Sequence, residues 1–355
     1  MSRFLSRRFE TLEAYVPGEQ PQDMQYIKLN TNESPYPPSP KVFESISRSE
    51  IEKLRLYPDP LGKKLRDKVA QLYNVGPENI FLANGSDEAL AFAFQAFCDA
   101  EHPAVFPDIT YGFYPVYCQL FNVPCTVIPL RADFTVNPED YVGIGRNIIL
   151  ANPNAPTGLA LPLTDIENIL RTNPDSIVLV DEAYVDFGGQ SAVGLIKQYD
   201  NLVVVHTCSK SRSLAGARLS FVFGQAELIC DIDKMRYSFN SYNVTRTALV
   251  AGEAAVDDEP YYVEMRRRIV ETRVRAAEDL KALGFVMTDS KANFLFATHP
   301  GFPGKALYQA LKARGILVRH FDKPRISEYL RITIGTPEQM DALLAALKDI
   351  LAKGK

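Results

Sequence analysis

NLVVVHTCSKSRSLAGARLSF, residues 201–221, holds the lysine around which the rest of the chain is arranged. Leu202 to Val205 is a short apolar, β-branched run, the composition of a strand buried on both faces. It ends at His206-Thr207-Cys208, and Ser209-Lys210-Ser211 opens a segment with little hydrophobic periodicity. A lysine just beyond the C-terminal end of a buried strand sits where open α/β sheets bind their ligands. A second apolar run, Ile177 to Val180, ends in the same way at Asp181-Glu182-Ala183-Tyr184. If the two strands are close, an amine and a carboxylate share one crevice. That pair suits pyridoxal phosphate: the amine forms a Schiff base with the cofactor aldehyde, and the carboxylate keeps the pyridinium nitrogen protonated. Each residue also has an ordinary reading. A strand-end lysine is most often a solvated surface group, and Asp181 alone is compatible with a helix cap or a turn.

The remaining composition narrows the field. A chain of 355 residues has material for two domains. With 46% hydrophobic and 23% charged residues it reads as an ordinary soluble globular protein. A net charge of -4 supplies no global basic field for nucleic acid or anionic membrane. Five cysteines (98, 118, 125, 208, 230) and four histidines are scattered without CxxC spacing, so neither a disulfide framework nor a metal site is expected. A reducing, cytoplasmic setting follows. Ser6-Arg7-Arg8-Phe9 resembles the start of an export signal, but Glu10, Glu13 and Gly18-Glu19-Gln20 interrupt any apolar region behind it. No apolar run approaches the roughly 18 residues of a membrane helix.

Working outward, residues 1–28 read as an arm with little periodicity. Leu29 to Pro38 (LNTNESPYPP) is too rich in proline for helix or central strand, yet dense in amide and carboxylate groups. Pro40 to Leu56 reads as one amphipathic helix, and Leu61 to Tyr73 as another, with Leu65, Val69 and Leu72 on one face. Short strands are expected at Ile80–Ala83, Ala104–Phe106, Asn147–Leu150 and Leu219–Phe223. Asn84-Gly85-Ser86-Asp87-Glu88 opens an apolar helix, and such a turn offers N–H groups and a hydroxyl to a phosphate. Ser86 or Asp87 as a plain cap is the simpler alternative. An aromatic at the corner Asp108 to Tyr114 can stack on a planar ring, or belong to the core. Arg218 with Ser86 and Ser209 would complete a phosphate cup. Thr245 to Leu283 reads as one long helical region, followed by short strands and helices of a smaller α+β unit.

Taken together, LNTNESPYPP (29–38), YPDP (57–60), NGSDEAL (84–90), NPNAPTG (152–158), VDEAYVDF (180–187), CSKSRSLAGAR (208–218) and LRITIGT (330–336) give the chain a resemblance over nearly its whole length. It resembles the fold-type I pyridoxal-phosphate aminotransferases, most closely the histidinol-phosphate aminotransferases. The resemblance implies an α/β fold: a large domain (29–245) with a mostly parallel sheet flanked by helices, and a smaller α+β C-terminal domain (246–355). It implies transamination of histidinol phosphate with 2-oxoglutarate in histidine biosynthesis. An aromatic amino-acid aminotransferase or a phosphothreonine decarboxylase of the same fold is the alternative. A non-catalytic cofactor sensor joined to a DNA-binding module is a different class, and no basic helix-turn-helix segment is evident.

By the same resemblance Lys210 is the cofactor lysine and proton carrier, Asp181 the partner of the pyridinium nitrogen, and Tyr184 the donor to the 3-hydroxyl oxygen. Ser86, Asp87, Ser209 and Arg218 line the phosphate, and Tyr111 stacks on the ring. Tyr57 reaches the phosphate of the other subunit, which implies a homodimer with shared sites. Arg331 anchors the anionic end of the substrate, with Arg319 beside it and Asn30 and Tyr36 as further contacts. The chain departs from the family at Ala155, where the commonest pattern has an asparagine bonding the 3-hydroxyl oxygen; the expected substitutes are Asn154 or Asn152, or Tyr184 acting alone. Ser211-Arg212-Ser213 replaces the usual aromatic-containing segment.

Overall fold

The computed structural model describes residues 2–353; Met1 of the expected arm and residues 354–355 of the expected C-terminal unit lie outside it. The strands are β1 (Ile27–Lys28), β2 (Ile80–Ala83), β3 (Ala104–Pro107), β4 (Cys125–Ile128), β5 (Asn147–Ala151), β6 (Val178–Asp181), β7 (Leu202–Thr207), β8 (Ser220–Phe223), β9 (Val286–Met287), β10 (Phe294–Thr298), β11 (Ile316–Leu317), β12 (Arg319–His320) and β13 (Leu330–Thr333). Seven of them form the main sheet in the order β2-β8-β7-β6-β5-β3-β4. Only β8 runs against its neighbours. All six residues of β7 are buried, as the unbroken apolar run requires for a strand covered on both faces.

Alternate residues of these strands feed two cores. Val178, Val180, Leu202 and Val204 share a core with helices α1 (Pro40–Ser45) and α3 (Lys63–Tyr73), through Val42, Leu65 and Val69, while α2 (Arg48–Glu52) buries no residue. Leu179, Val203 and Val205 face α4 (Ser86–Phe97) and α5 (Phe113–Phe121), through Phe92, Phe94 and Tyr114. Helices α6 (Leu163–Thr172), α7 (Ala226–Phe239) and α8 (Arg246–Val256) complete the two layers. A leucine or isoleucine so enclosed is worth about 2–5 kcal/mol against alanine.

The helix expected over 40–56 is instead α1 and α2 with a 3-10 turn at Lys53–Arg55. The break falls at Ile46, whose ψ of 62° leaves the helical region before Ser47 starts the next helix. The long region 245–283 is likewise divided, into α8 and α9 (Glu259–Ala282). Pro260 lies at the start of α9, where its missing N–H is harmless but where no preceding helix can run through. Strand β4, unnoticed in the sequence, is a half-exposed edge strand beside β3.

The smaller unit has a four-stranded antiparallel sheet, β12-β13-β10-β9, packed with α9, α10 (Gly304–Lys312) and α11 (Pro337–Lys353). Its core also takes in Leu29, and β1 pairs in parallel with β11. Along α9, Tyr262 packs into the large core and Ile269 into the small one. Along α9, then, packing passes from the large core to the small one, and residues 27–29 pack with the C-terminal elements. The four strand-end motifs at 84–88, 152–158, 181–184 and 207–210 follow β2, β5, β6 and β7, whose parallel sense brings them to one edge of the sheet.

Candidate active site

Asp181 and Val205 are register partners on β6 and β7, so the carboxylate ends one strand as the neighbouring strand runs on to Lys210. Lys210 is half-buried between the two units, and its Nζ donates to the carbonyl of Thr31 at 3.1 Å. Burial, foremost, and the nearby Arg331 lower its ammonium pKa to about 8. Asp181 is buried; its Oδ2 accepts from the Tyr114 hydroxyl at 3.0 Å and its Oδ1 from the Ala183 N–H at 3.2 Å. Burial outweighs those two bonds and pushes its carboxyl up to about 6.

The helix α4 begins at Ser86 behind Gly85, which has φ +84°. A Cβ built on Gly85 would lie 2.3 Å from Nη2 of Arg218, so glycine is what lets the guanidinium reach the helix start. Arg218 donates to Asp87 Oδ2 at 2.9 Å, and Tyr111 donates to Asp87 Oδ1 at 2.7 Å. Ser209 is buried beside them, its Oγ accepting from Thr207 Oγ1 at 3.0 Å. N–H groups at a helix start, an exposed arginine and two hydroxyls make an anion cradle. The Tyr111 ring stands on the same side, its hydroxyl fixed by Asp87.

Across the crevice, Arg331 on β13 lies opposite Arg319 on β12 in register. Arg331 donates to the Asn30 carbonyl at 3.0 Å and lies over the rings of Phe294 and Phe321. Its Nε is buried with no partner in the protein. A buried donor without a protein partner is suited to an anion that enters beside it. The residues present thus fit a planar, phosphate-bearing aldehyde: amine, carboxylate, aromatic face, cradle.

A family model described as aminotransferase class I and II matches residues 24–347. The chain belongs to the class I and II aminotransferases. Among its relatives, the histidinol-phosphate aminotransferase of Marinomonas sp. (strain MWYL1) is 53% identical over 353 residues, covering 99% of this chain and 100% of that protein. That of Clostridium acetobutylicum is 47% identical over 352 residues, with 99% and 100% covered. Among solved structures, the histidinol-phosphate aminotransferase of Sinorhizobium meliloti in complex with pyridoxal-5'-phosphate has a TM-score of 0.85 at 24% identity, covering 93% of this chain and 92% of that one. It shows the same fold.

Several residues of this aminotransferase take places that sequence reading did not anticipate. Asn154 is 3% exposed and committed within the protein: its amide donates to the Ile109 carbonyl and Thr157 Oγ1, and its carbonyl accepts from Thr110. Ala155 packs with Ala292, Phe294 and the edge of Tyr184, so the departure from the family pattern leaves an apolar contact at that point. The Tyr184 hydroxyl accepts instead from Asn32 Nδ2 at 2.9 Å, and Asn32 is held by Thr333 on β13. Asn32 has φ +57°, a backbone setting asparagine tolerates.

Arg319 donates to the carbonyls of Val16 and Pro17 of the N-terminal arm, at 3.3 and 3.2 Å. Asn30 is buried, and its side chain donates to the Glu19 carbonyl of that arm. The arm so fastened lays Tyr15 on Phe113, ring centroids 4.2 Å apart, with its hydroxyl in the field of Arg331, Arg319, Tyr184 and Asp87. Tyr36 packs on the small core, its hydroxyl near Arg268, Glu338 and Glu264 rather than at Lys210. Tyr57 is 77% exposed and stacks on Tyr242 at 4.4 Å, remote from this chain's own crevice. Asn32 lies within LNTNESPYPP and Tyr114 at the end of the Asp108–Tyr114 corner, so both were within stretches marked by their composition, whereas Tyr15 lies in the arm with no local signal.

Proposed function

We propose that this chain transfers the amino group of histidinol phosphate to 2-oxoglutarate, giving imidazole-acetol phosphate and glutamate, as a pyridoxal-phosphate enzyme of histidine biosynthesis. The observation that carries the reading is the Lys210 amine and the Asp181 carboxyl at the ends of adjacent strands, in a crevice faced by Arg331. When bound, the cofactor supplies an aldehyde to hold the amino group and a ring that takes up electrons from the substrate Cα.

In this reading Lys210 would hold the cofactor by its aldehyde, and its Nζ is the group that would carry the proton at the substrate Cα. Asp181 Oδ atoms, aimed by Tyr114, hold the proton of the ring nitrogen. Tyr184 donates its hydroxyl proton to the 3-oxygen, oriented by Asn32. Ser86, Asp87, Ser209 and Arg218 seat the phosphate, Ser86 and Asp87 through main-chain N–H groups. Tyr111 and Tyr15 cover the ring and exclude water.

Arg331 offers one fork to either the phosphate ester of histidinol phosphate or the carboxylate of glutamate. Arg331→Lys is expected to slow both half-reactions by about 10–100-fold, since an ammonium lacks the paired donors. Arg319→Ala is expected to lower efficiency more for the phosphorylated donor than for glutamate. The test is catalytic efficiency for histidinol phosphate against phenylalanine, tyrosine and dephosphorylated histidinol, each with 2-oxoglutarate. Parity would reject the histidine-pathway reading in favour of an aromatic aminotransferase. Carbon dioxide released from phosphothreonine would point to a decarboxylase.

The functional unit in this reading is a cytoplasmic homodimer. Phe43, Ile51, Leu54, Leu56 and Tyr57 are exposed apolar groups from one neighbourhood of the chain, which a second copy would cover. No described helix is long and apolar enough to cross a membrane. Tyr57 then reaches the partner subunit's phosphate cradle. Mixing inactive Lys210→Ala subunits with weakened Tyr57→Phe subunits is expected to restore one intact site per heterodimer, raising activity above that of either parent. Verified heterodimers without any rise would place Tyr57 outside the shared site.

A further inference from the structure

Ser211-Arg212-Ser213, directly after Lys210, takes no part in the site so far described, yet Ser211 and Arg212 are almost wholly buried. The Ser211 hydroxyl donates to Asp186 Oδ2. Asp186 belongs to the 3-10 turn Val185–Phe187, which immediately follows Asp181 and Tyr184. Its Oδ1 lies 3.9 Å from Nη1 of Arg266, and Arg266 Nη2 donates to Glu259 Oε1. Glu259 Oε2 in turn accepts from Arg212 Nη2 at 2.6 Å. The circuit closes through the peptide bond between Arg212 and Ser211.

Two cations and two anions alternate around this ring, so its net charge is zero and each buried charge has a partner. Arg212 is further held by the Ala255 carbonyl, at 3.2 Å from Nη1, and by the Tyr262 ring, 5.5 Å from its guanidinium carbon. Ala255 is on α8; Glu259, Tyr262 and Arg266 are on α9, the helix that passes from the large core to the small one. The loop itself is turned back tightly. Leu214 N–H donates to the Cys208 carbonyl at 3.0 Å, and Ser213 has φ +55°. Lys210 therefore sits on a short turn fastened at one side to the Asp181–Tyr184 segment and at the other to α8 and α9.

We propose that Arg212 is a positioning residue for Lys210, acting through the Ser211–Asp186–Arg266–Glu259 ring to fix the turn from which the amine approaches cofactor and substrate. This rests on Lys210 being the cofactor lysine. The physical need is specific to that role. An amine that must leave the cofactor and then carry a proton needs a base whose backbone stays put while its side chain moves. A misplacement near 1 Å at the reacting atoms costs about 100-fold in rate. A ring that served stability alone would leave the chemistry of correctly folded enzyme untouched.

The test uses loaded Arg212→Met, Arg212→Lys and Ser211→Ala enzymes. In Arg212→Met, kcat is expected to fall by about 10–100-fold while KM for the amino donor stays within about threefold. The pH midpoint of the cofactor–Lys210 absorbance is expected to move by about half a unit or more, with partial recovery in Arg212→Lys. Ser211→Ala removes one hydrogen bond and no charge; it should move both readouts less, and it decides the matter if Arg212→Met does not fold. Parental kcat and parental midpoint in the folded variant overturn the proposal, as does a lowered melting temperature with both unchanged. Borohydride reduction of the parental enzyme, run alongside, distinguishes the two readings: failure to find the cofactor on Lys210 sinks the proposed function itself.

Discussion

Lys210→Ala is expected to fold normally and to lose turnover by at least about 10⁴-fold. Its Nζ makes one hydrogen bond, to the Thr31 carbonyl, so the fold loses little when it is removed. The chemistry loses both the covalent anchor and the group that carries the proton. Borohydride treatment of the parental enzyme should fix the cofactor to Lys210 and to no other lysine; an adduct elsewhere, or turnover surviving in the variant, removes the assignment. The pH dependence follows from the lowered ammonium pKa. Only the neutral amine attacks an aldehyde, so cofactor capture by the cofactor-free chain should rise with pH and level off above about 8. The folded chain binds fewer protons here than the unfolded chain between about 8 and 10.5. The contribution of this group to stability therefore rises with pH across that window, and the slope disappears in the alanine variant.

Asp181→Ala should lose about 10³-fold or more in turnover, since an unprotonated pyridine is a poor electron sink. Asp181→Asn keeps the shape and a hydrogen bond to Tyr114 but no charge, and should lose nearly as much. Asp181→Glu, which retains the charge at a longer reach, should be milder. Steady-state kinetics on all three decides it: near-parental turnover in the asparagine variant would make the carboxylate a structural group. The cofactor-free protein has its own signature. Because burial raises this carboxyl from 3.8 to about 6, the folded chain binds more protons than the unfolded one in that interval. Its contribution to stability is fully present below about 4 and is lost as pH rises through 6. A cationic ring nitrogen beside Asp181 opposes that shift, so the loss should shrink on cofactor binding.

Much of this was legible because the large domain is built from local signals. Apolar runs such as Ile177–Val180 and Leu202–Val205 declare buried strands, and the polar clusters that end them mark one edge of a parallel sheet. Lys210, Asp181, Arg218 and Arg331 stand at such ends or on such strands, so type and position together were informative. What was not legible depended on partners remote in the chain. Asn32 earns its place by contacts to Tyr184 and Thr333, 152 and 301 residues away. Tyr15 lies in an arm with no periodicity, and its position follows from Arg319 and Asn30 gripping the backbone on its C-terminal side. The spacing of the Asn-Pro turn gives Asn154 no partner; in the fold Thr157 within the turn and Ile109 and Thr110 outside it take up its side chain.

The pairing of β1 with β11 bears on how the chain is made. Ile27 and Ile316 are about 290 residues apart, and Leu29 is part of a core built, apart from Phe187, from residues beyond 268. On a ribosome the large sheet, complete once β8 has emerged, can form while the segment around Leu29 still lacks its partners. That segment stays unsheltered through most of synthesis, and the small unit closes last, on release of the C-terminal third. Because Thr31 and Asn32 ride on the same segment and touch Lys210 and Tyr184, the surroundings of those two residues are completed at that final step. A nascent chain stalled before β11 should thus be folded in its sheet and yet unfinished around Lys210 and Tyr184.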